Sequence, residues 1–158
     1  MKKEIKAGDA LPLFRLKDQH GQWVDMKDFI GKMPLVLYFY PKDDTPGCTK
    51  EACAFNDQVE DFKAAGAEVF GISADSVESH KNFANKYKLD FRLLSDVNNE
   101  IRKLFGVPSD LLGLLPGRMT YVVDQTGIVI HTFKSQFNAT RHVDEALWAL
   151  QQIEVNKE

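Results

Sequence analysis

The run from Leu35 to Tyr40, Leu-Val-Leu-Tyr-Phe-Tyr, is closed by Pro41 and constrains the fold more than any other feature. An uninterrupted apolar run of this length is typical of a strand that is buried on both faces. A half-exposed strand would alternate apolar and polar residues instead. We therefore expect this segment to lie at the centre of a sheet that other elements cover on both sides.

Hydrophobic periodicity and turn residues predict strands and helices that alternate around this central strand. After Cys48, apolar residues recur at three- and four-residue spacing, which predicts one amphipathic helix ending at Gly66. The other predicted elements are a hairpin (14–18 and 23–26), strands at 67–73 and 91–94, helices at 77–87 and 100–105, a second hairpin (119–124 and 128–133) and a helix at 143–153 with Thr140 as N-cap. This order predicts a single three-layer α/β domain over residues 1–158, with a mixed central sheet.

Charge and hydropathy argue against two classes of partner. The net charge is −3 and the basic residues are scattered, which does not favour nucleic-acid binding. The longest apolar stretch, Met33 to Tyr40, is far too short for a membrane span, and no secretory apolar segment follows the first lysines. We therefore expect a cytoplasmic chain with no nucleic-acid or membrane partner. In a reducing compartment, two cysteines indicate catalysis, redox activity or metal binding rather than a permanent disulfide.

Cys48 is predicted to lie at the start of the first long helix, where an anion is stabilised. Thr45 is a preferred N-cap residue and Pro46 a preferred first helical residue, so Cys48 is predicted to be third in the first turn. Backbone N–H groups in that turn have no partner within the helix, and the helix dipole is positive there. Both effects favour an anion, and they predict that Cys48 is held as a thiolate.

Cys53 lies five residues further along the same predicted helix. In an unbroken helix this spacing separates the two Cα atoms by roughly 8.5 Å, with side chains about 140° apart around the axis. Because a disulfide needs Cα atoms closer than about 7 Å, a Cys48–Cys53 bond would require the first turns to unwind. The alternative is that each cysteine is only a small, buried apolar residue without a chemical role. This alternative is stronger for Cys53 than for Cys48.

A metal site is not favoured by the positions of the metal-ligating residues. The two cysteines lack the usual Cys-x-x-Cys spacing, and no histidine lies at ligand spacing from them or from another histidine; the four are His20, His80, His131 and His142. We therefore expect no metal and no cofactor.

The spacing Pro41-x-x-x-Thr45-x-x-Cys48 resembles the peroxidatic loop of the peroxiredoxins. The sequence from Tyr38 to Cys53 is similar to the bacterioferritin-comigratory-protein or peroxiredoxin Q branch, whose atypical two-cysteine members carry the second cysteine five residues after the first. Residues 107–124 also resemble that branch, in the form without a Lys- and Gly-rich segment before the arginine. The resemblance extends from about Gly8 to the closing helix.

The resemblance implies a thioredoxin-like fold with an N-terminal hairpin extension, in which Thr-x-x-Cys occupies the place of thioredoxin's Cys-x-x-Cys. It implies a thiol-dependent peroxidase in which Cys48 is the nucleophile and Cys53 the resolving thiol. Hydrogen peroxide or an alkyl hydroperoxide would oxidise Cys48 to a sulfenic acid, and Cys53 would convert this to a disulfide. Thioredoxin or a related dithiol would then reduce the disulfide. This branch is often monomeric, and we expect a monomer.

The resemblance also assigns roles to residues around Cys48. Thr45 would hydrogen-bond the attacking sulfur and the peroxide, and Pro41 would shield the pocket from water. Arg118 would hold the thiolate and polarise the peroxide, rather than being a surface arginine at a strand start. Glu51 is a candidate to brace Arg118, although an exposed helical glutamate is the more common situation.

Two other functions fit some of these features. A dithiol–disulfide oxidoreductase acting on proteins is weakened by Thr45, which stands where the first cysteine of Cys-x-x-Cys should be. A redox sensor would use the unwinding of the helix to change a partner surface without turnover. A group of leucines before Arg118 would form either a collar for organic substrates or part of the core: Leu111, Leu112, Leu114 and Leu115. Phe39, Trp23 and Trp148 are predicted to be core residues.

Overall fold

The structure is a computed structural model that describes residues 4–109 and 117–156, with side chains described through residue 153. The strands in these ranges are β1 (Arg15–Lys17), β2 (Trp23–Asp25), β3 (Leu35–Phe39), β4 (Glu68–Ser73), β5 (Arg92–Ser95), β6 (Met119–Val123) and β7 (Val129–Lys134). The helices are α1 (Pro46–Asp57), α2 (Val59–Ala64), α3 (Val77–Tyr87), α4 (Glu100–Phe105) and α5 (Ala139–Asn156), with a short 3₁₀ helix at Met26–Asp28. The described residues contain no helix with the length and hydropathy needed to cross a membrane.

The seven strands form one mixed sheet in the order β2-β1-β5-β4-β3-β6-β7. β3 is parallel to β4 and antiparallel to β6, and β4 is parallel to β5. All five residues of β3 are buried, which confirms the predicted central strand. The pairing of β3 with β6 ends at Phe39 and Met119. The chain that follows Phe39 and the chain that precedes Met119 therefore lie side by side at the same end of these two strands.

Side chains of β3 alternate between two hydrophobic cores, one on each face of the sheet. Val36 and Tyr38 pack in a core with residues from α1, α2, α3 and α5. Leu35, Leu37 and Phe39 pack in the opposite core, which α4 and the N-terminal segment cover. This arrangement confirms the predicted three-layer α/β fold.

Two predicted helix boundaries were wrong. The first long helix is interrupted at Gln58, which ends α1 and precedes α2. The side chain of Asn56 bonds the Lys88 carbonyl at 3.1 Å and the Asp90 N–H at 2.7 Å, so tertiary contacts hold the end of α1. The last helix begins at Ala139, which places Thr140 inside its first turn instead of at the N-cap.

The prediction that both tryptophans belong to the core was also wrong. Trp23 is 55% exposed on the edge strand β2, where the Arg15 guanidinium lies 4.1 Å from the centre of its ring. Trp148 is 50% exposed, and its ring contacts His131. A tryptophan can therefore sit at the surface when its ring is covered by a cation or another ring. Phe39 is fully buried, as predicted.

Candidate active site

Cys48 lies where the sequence places it, at the third position of α1. Thr45 has extended backbone angles and is the N-cap, and Pro46 follows as the first helical residue. The Cys48 side chain is only 1% exposed, and both cysteines are free thiols. The first turn of α1 therefore lies directly against a buried sulfur.

The predicted role of Thr45 differs from its hydrogen bonding in this structure. Its hydroxyl donates to the carbonyl of Lys42 at 2.9 Å and makes no cap bond to the helix. Among the described contacts, the predicted bond to Cys48 is not formed. The carbonyl of Lys42, in the loop before α1, thus satisfies this hydroxyl locally.

Arg118 is buried beside Cys48, which excludes the alternative of a surface arginine. Its Nη2 donates to the Cys48 Sγ at 3.5 Å, and its Nη1 donates to Glu51 Oε1 at 2.5 Å. Its Nε also donates to the Gln136 carbonyl at 3.3 Å. Burial opposes the charge of Arg118, but Glu51 and Cys48 outweigh burial and raise its pKa. The guanidinium is therefore a fixed positive charge at the sulfur.

Gly47 allows this close approach. A Cβ atom at position 47 would lie 3.1 Å from Arg118 Nη2, which is tighter than an ordinary van der Waals contact. Any other residue would push the guanidinium away from Cys48. The glycine in Thr-Pro-Gly-Cys therefore has a steric role in the geometry of the site.

Glu51 is fully buried behind Arg118, so it is not the exposed helical glutamate that the sequence left open. Burial outweighs the charge and the hydrogen bond of Arg118 and raises the pKa of Glu51 to about 8. Its second oxygen, Oε2, has no hydrogen-bond partner in the described structure and lies 3.7 Å from Nδ1 of His142.

His142 and Thr120 complete this buried cluster and were not predicted from the sequence. Nε2 of His142 lies 2.8 Å from the carbonyl of Ser135, which can only accept, so this nitrogen carries the proton. Nδ1 then accepts from the Thr120 hydroxyl at 2.7 Å. Burial lowers the pKa of His142 to about 4, so the ring is neutral near pH 7.

Cys53 and Pro41 lie at the edge of this arrangement. Cys53 is half-buried on α1, and burial followed by the charge of Asp57 raises the pKa of its thiol. Because the thiolate is the reactive form, this shift works against a direct attack of Cys53 on a peroxide. Pro41 is half-buried where the chain leaves β3, and the four leucines of the predicted collar lie outside the described residues.

A second buried polar cluster anchors the loop between β3 and α1. Asp43 accepts from the Tyr40 hydroxyl at 2.5 Å, from Ser79 at 2.8 Å and from Nδ1 of His80 at 2.7 Å. Nε2 of His80 faces the Leu94 carbonyl at 3.0 Å. Asp43, Asp75 and His80 are close enough to ligate one ion, but their nearest polar atoms already bond to protein groups. The observed role of the cluster is to fasten the loop to α3 and β5.

A buried thiol at a helix start, contacted by a guanidinium on a thioredoxin-like fold, defines a thiol-based redox enzyme. The family profile of AhpC/TSA matches residues 7–132. The chain belongs to the AhpC/TSA family of peroxiredoxins, in its peroxiredoxin Q branch, and it is a hydroperoxide reductase. The resemblance seen in the sequence is thereby confirmed.

The similarity to these proteins covers nearly the whole chain. A chloroplastic peroxiredoxin Q from Sedum lineare is 57% identical over 150 residues, which are 95% of this chain and 80% of the relative. The crystal structure of peroxidoxin BcpB from Mycobacterium tuberculosis has a TM-score of 0.87 at 39% identity, covering 95% of this chain and 99% of that one. A Xanthomonas campestris bacterioferritin comigratory protein, described with alkyl peroxide reduction activity, has a TM-score of 0.81 at 33% identity and covers 92% and 99%.

The prediction of a cytoplasmic chain was wrong by this comparison. Similar relatives from Sedum lineare, Populus jackii and Arabidopsis thaliana are named as chloroplastic proteins and not as cytoplasmic ones. Targeting segments are separate from the folded domain, so the composition of the domain does not report its compartment. Scattered charge and a short apolar run were therefore no evidence for the cytoplasm.

Proposed function

We propose that this chain reduces hydrogen peroxide and alkyl hydroperoxides through Cys48, and that a Cys48–Cys53 disulfide formed in each cycle is reduced by thioredoxin or a related dithiol protein. The observation that carries the proposal is the Arg118 guanidinium, which bonds the Cys48 sulfur on one side and Glu51 on the other. This contact favours the thiolate and leaves the guanidinium fixed at the point where a peroxide would be attacked.

The first step is a displacement at oxygen. The Cys48 thiolate attacks the terminal oxygen of the hydroperoxide, an S–O bond forms and the O–O bond breaks. Cys48 is oxidised to a sulfenic acid, while the leaving oxygen takes up a proton and departs as an alcohol or as water. Arg118 and the N–H groups of the first turn of α1 stabilise the charge that moves onto that oxygen.

Thr45 and Pro41 act on the peroxide and on water. Once the Thr45 hydroxyl turns away from Lys42, it donates to the bound peroxide and helps to orient the O–O bond. Pro41 offers no N–H group and covers the pocket where the chain leaves β3. Exclusion of water strengthens the interaction of Arg118 with the reacting atoms.

Resolution of the sulfenic acid requires α1 to open. Both cysteines lie within the continuous helix Pro46–Asp57, where their spacing is too long for a disulfide. Unwinding of the first turns lets the Cys53 thiol attack the Cys48 sulfur, so that the S–S bond forms and water leaves. The disulfide, carried on an opened segment, is then accessible to a dithiol reductant.

We further propose that the chain works as a single domain over residues 1–158, built on one seven-stranded sheet, and as a monomer. Glu51 keeps Arg118 pointed at Cys48 and is a positioning residue. Alkyl hydroperoxides are included among the substrates because the Xanthomonas relative is described with alkyl peroxide reduction activity.

The proposal is tested by peroxide-dependent oxidation of NADPH in the presence of thioredoxin and thioredoxin reductase. The wild type should turn over many times, Cys48→Ser should not turn over, and Lys50→Gln serves as a control at an exposed position on α1. Cys53→Ser should consume about one equivalent of peroxide and then stop. Turnover by Cys48→Ser, or oxidation of the wild type without multiple turnover, would refute the proposed cycle.

A further inference from the structure

Arg102 joins the two backbone segments that carry the reacting groups. It lies on the short helix α4, and its half-buried side chain reaches the end of the central strands β3 and β6. Its Nη2 donates to the carbonyl of Tyr40 at 3.1 Å, and its Nη1 donates to the carbonyl of Gly117 at 2.8 Å. Tyr40 directly precedes Pro41, and Gly117 directly precedes Arg118.

These two carbonyls lie beyond the last regular pair between β3 and β6. The ladder ends at Phe39 and Met119, and Pro41 has no N–H group with which to continue it. Beyond that pair, the described backbone hydrogen bonds join Tyr40 to Ile72 of β4 and do not join it to the segment before Arg118. The forked guanidinium supplies both donors from one rigid group, and a single ammonium group cannot reproduce that geometry.

Arg102 is itself held firmly. The Asp96 carboxylate accepts from the backbone N–H groups of Ile101 and Arg102 at 3.1 and 2.9 Å, which fixes the start of α4. The backbone N–H of Asp96 bonds to Ser73 at the end of β4. The Phe39 ring lies 5.7 Å from the guanidinium.

Gly117 is fitted closely on the same side. A Cβ atom at this position would overlap the carbonyl oxygen of Pro108, which follows α4. The backbone before Arg118 is therefore confined between Pro108 and the Arg102 side chain.

Burial lowers the pKa of Arg102, while the charges of Asp96, Tyr121 and Cys48 act in the opposite direction.

We infer that Arg102 is a positioning residue for peroxide reduction, because it sets the distance between the loop that leads to Cys48 and the segment that carries Arg118. Loss of this bridge lets Arg118 move away from the sulfur while Cys48 stays at the start of α1. The expected result is a site that keeps a reactive thiol and loses its preference for peroxide. The inference rests on the proposed role of Cys48.

The test compares two reactions of the same sulfur. In a Cys53→Ser background Cys48 is the only thiol, and its rate constants with hydrogen peroxide and with iodoacetamide are measured across pH 5–9 by rapid mixing. At the high-pH plateau of each profile, where loss of the Arg118 contact no longer changes the fraction of thiolate, Arg102→Met and Arg102→Lys should each lower the peroxide rate about tenfold or more and change the iodoacetamide rate less than about threefold. Lys103→Gln, at an exposed position on the same helix, should match the background in both reactions.

The folded fraction, measured by circular dichroism, separates positioning from a general loss of structure. If Arg102 only stabilised the fold, the peroxide rate would fall in proportion to the unfolded fraction, and a fully folded variant would react with peroxide at the background rate. An unchanged peroxide rate in both variants, a parallel change of both rates, or full recovery in Arg102→Lys would overturn the inference. A background protein that does not react with peroxide would instead refute the proposed function itself.

Discussion

Gly47 controls how closely the Arg118 guanidinium approaches Cys48. Its hydrogen atom leaves space that a methyl group would take, because a Cβ at this position would lie 3.1 Å from Nη2. The residue is exposed and in the first turn of α1, where alanine is compatible with the helix. Activity and stability are therefore separable at this position.

We expect Gly47→Ala to lower the rate constant for peroxide about tenfold while the midpoint of urea unfolding stays the same or rises slightly. The guanidinium must shift by a few tenths of an ångström, whereas the helix gains a better helix former. Stopped-flow oxidation and urea titration measure the two quantities. A wild-type peroxide rate in Gly47→Ala would show that the Arg118 contact does not limit the reaction.

The buried ring of His142 makes the stability of the fold depend on pH. Burial lowers the pKa of His142 from 6.5 to about 4, so the unfolded chain binds this proton more readily than the folded one. The contribution is fully present above about pH 6.5 and is lost as pH falls toward about 4. The neighbouring Glu51 acts in the opposite sense, since its raised pKa favours the folded state at low pH and this contribution is lost as pH rises to about 8.

His142→Gln should therefore reduce the pH dependence in the acidic range. The difference in unfolding free energy between wild type and variant should shrink by up to about 3 kcal/mol between pH 6.5 and pH 4. Urea unfolding at several pH values measures this difference, with Glu51→Gln as a comparison whose effect lies at higher pH. A difference that is constant with pH would mean that His142 is not held neutral by burial.

At the scale of secondary-structure elements, the loop before α1 is held by α3. Asp43 and His80 form a buried pair at 2.7 Å, while Asp44 makes exposed contacts to Lys86 and Tyr87. Removing one member of a buried pair leaves the other polar group without its partner, whereas an exposed ion pair contributes little. The buried pair is therefore the main attachment of the loop.

His80→Ala is expected to destabilise the protein by about 1–3 kcal/mol, because the Asp43 carboxylate loses one of its donors while it keeps those of Tyr40 and Ser79. Lys86→Ala is the matched control on the same helix, and its urea unfolding midpoint should stay close to that of the wild type. Equal midpoints for the two variants would contradict a structural role of the buried pair.

The elements also show where reasoning from sequence succeeds. The apolar run of β3, the capping residues before Cys48 and the helical spacing after it are local signals, and each was confirmed. The break at Gln58 could not be predicted, because the end of α1 is held through Asn56 by residues that follow α3. Local patterns define elements well, but contacts from distant segments decide some of their ends.

Some residues of the candidate site could likewise be predicted from local sequence signals, and others could not. Cys48 was placed by helix-start chemistry, and the positions of Arg118 and Glu51 beside it agree with the resemblance. Thr120, His142 and Arg102 carry no motif, and they reach the site only because the fold brings β6, α5 and α4 to it from different parts of the chain. The position of the Thr45 hydroxyl depends on a single side-chain rotation, which sequence does not determine.

At the scale of the whole molecule, the proposed cycle requires the fold to open locally and close again. Cys48 belongs to the core that α1, α3 and α5 share, so unwinding the start of α1 removes a residue from that core. Residues 46–53 correspond to about two helical turns. Oxidation should therefore lower the helix content of the protein, and reduction should restore it.

One equivalent of peroxide should reduce the far-UV circular dichroism of the wild type by about two turns of helix, and a dithiol should restore it. Cys53→Ser should keep its helix signal, because its sulfenic acid cannot form the disulfide. An identical loss in both proteins would mean that the opening does not depend on the Cys48–Cys53 bond.

The most direct test of the account is peptide mapping by mass spectrometry after one equivalent of hydrogen peroxide. In the wild type, we predict that Cys48 and Cys53 are joined with the loss of two hydrogen atoms. In Cys53→Ser, Cys48 should gain one oxygen atom, and in Cys48→Ser neither change should occur on the time scale of the wild-type reaction. Oxidation that begins at Cys53, or a wild-type product with oxygen on Cys48 and no bond to Cys53, would contradict the account.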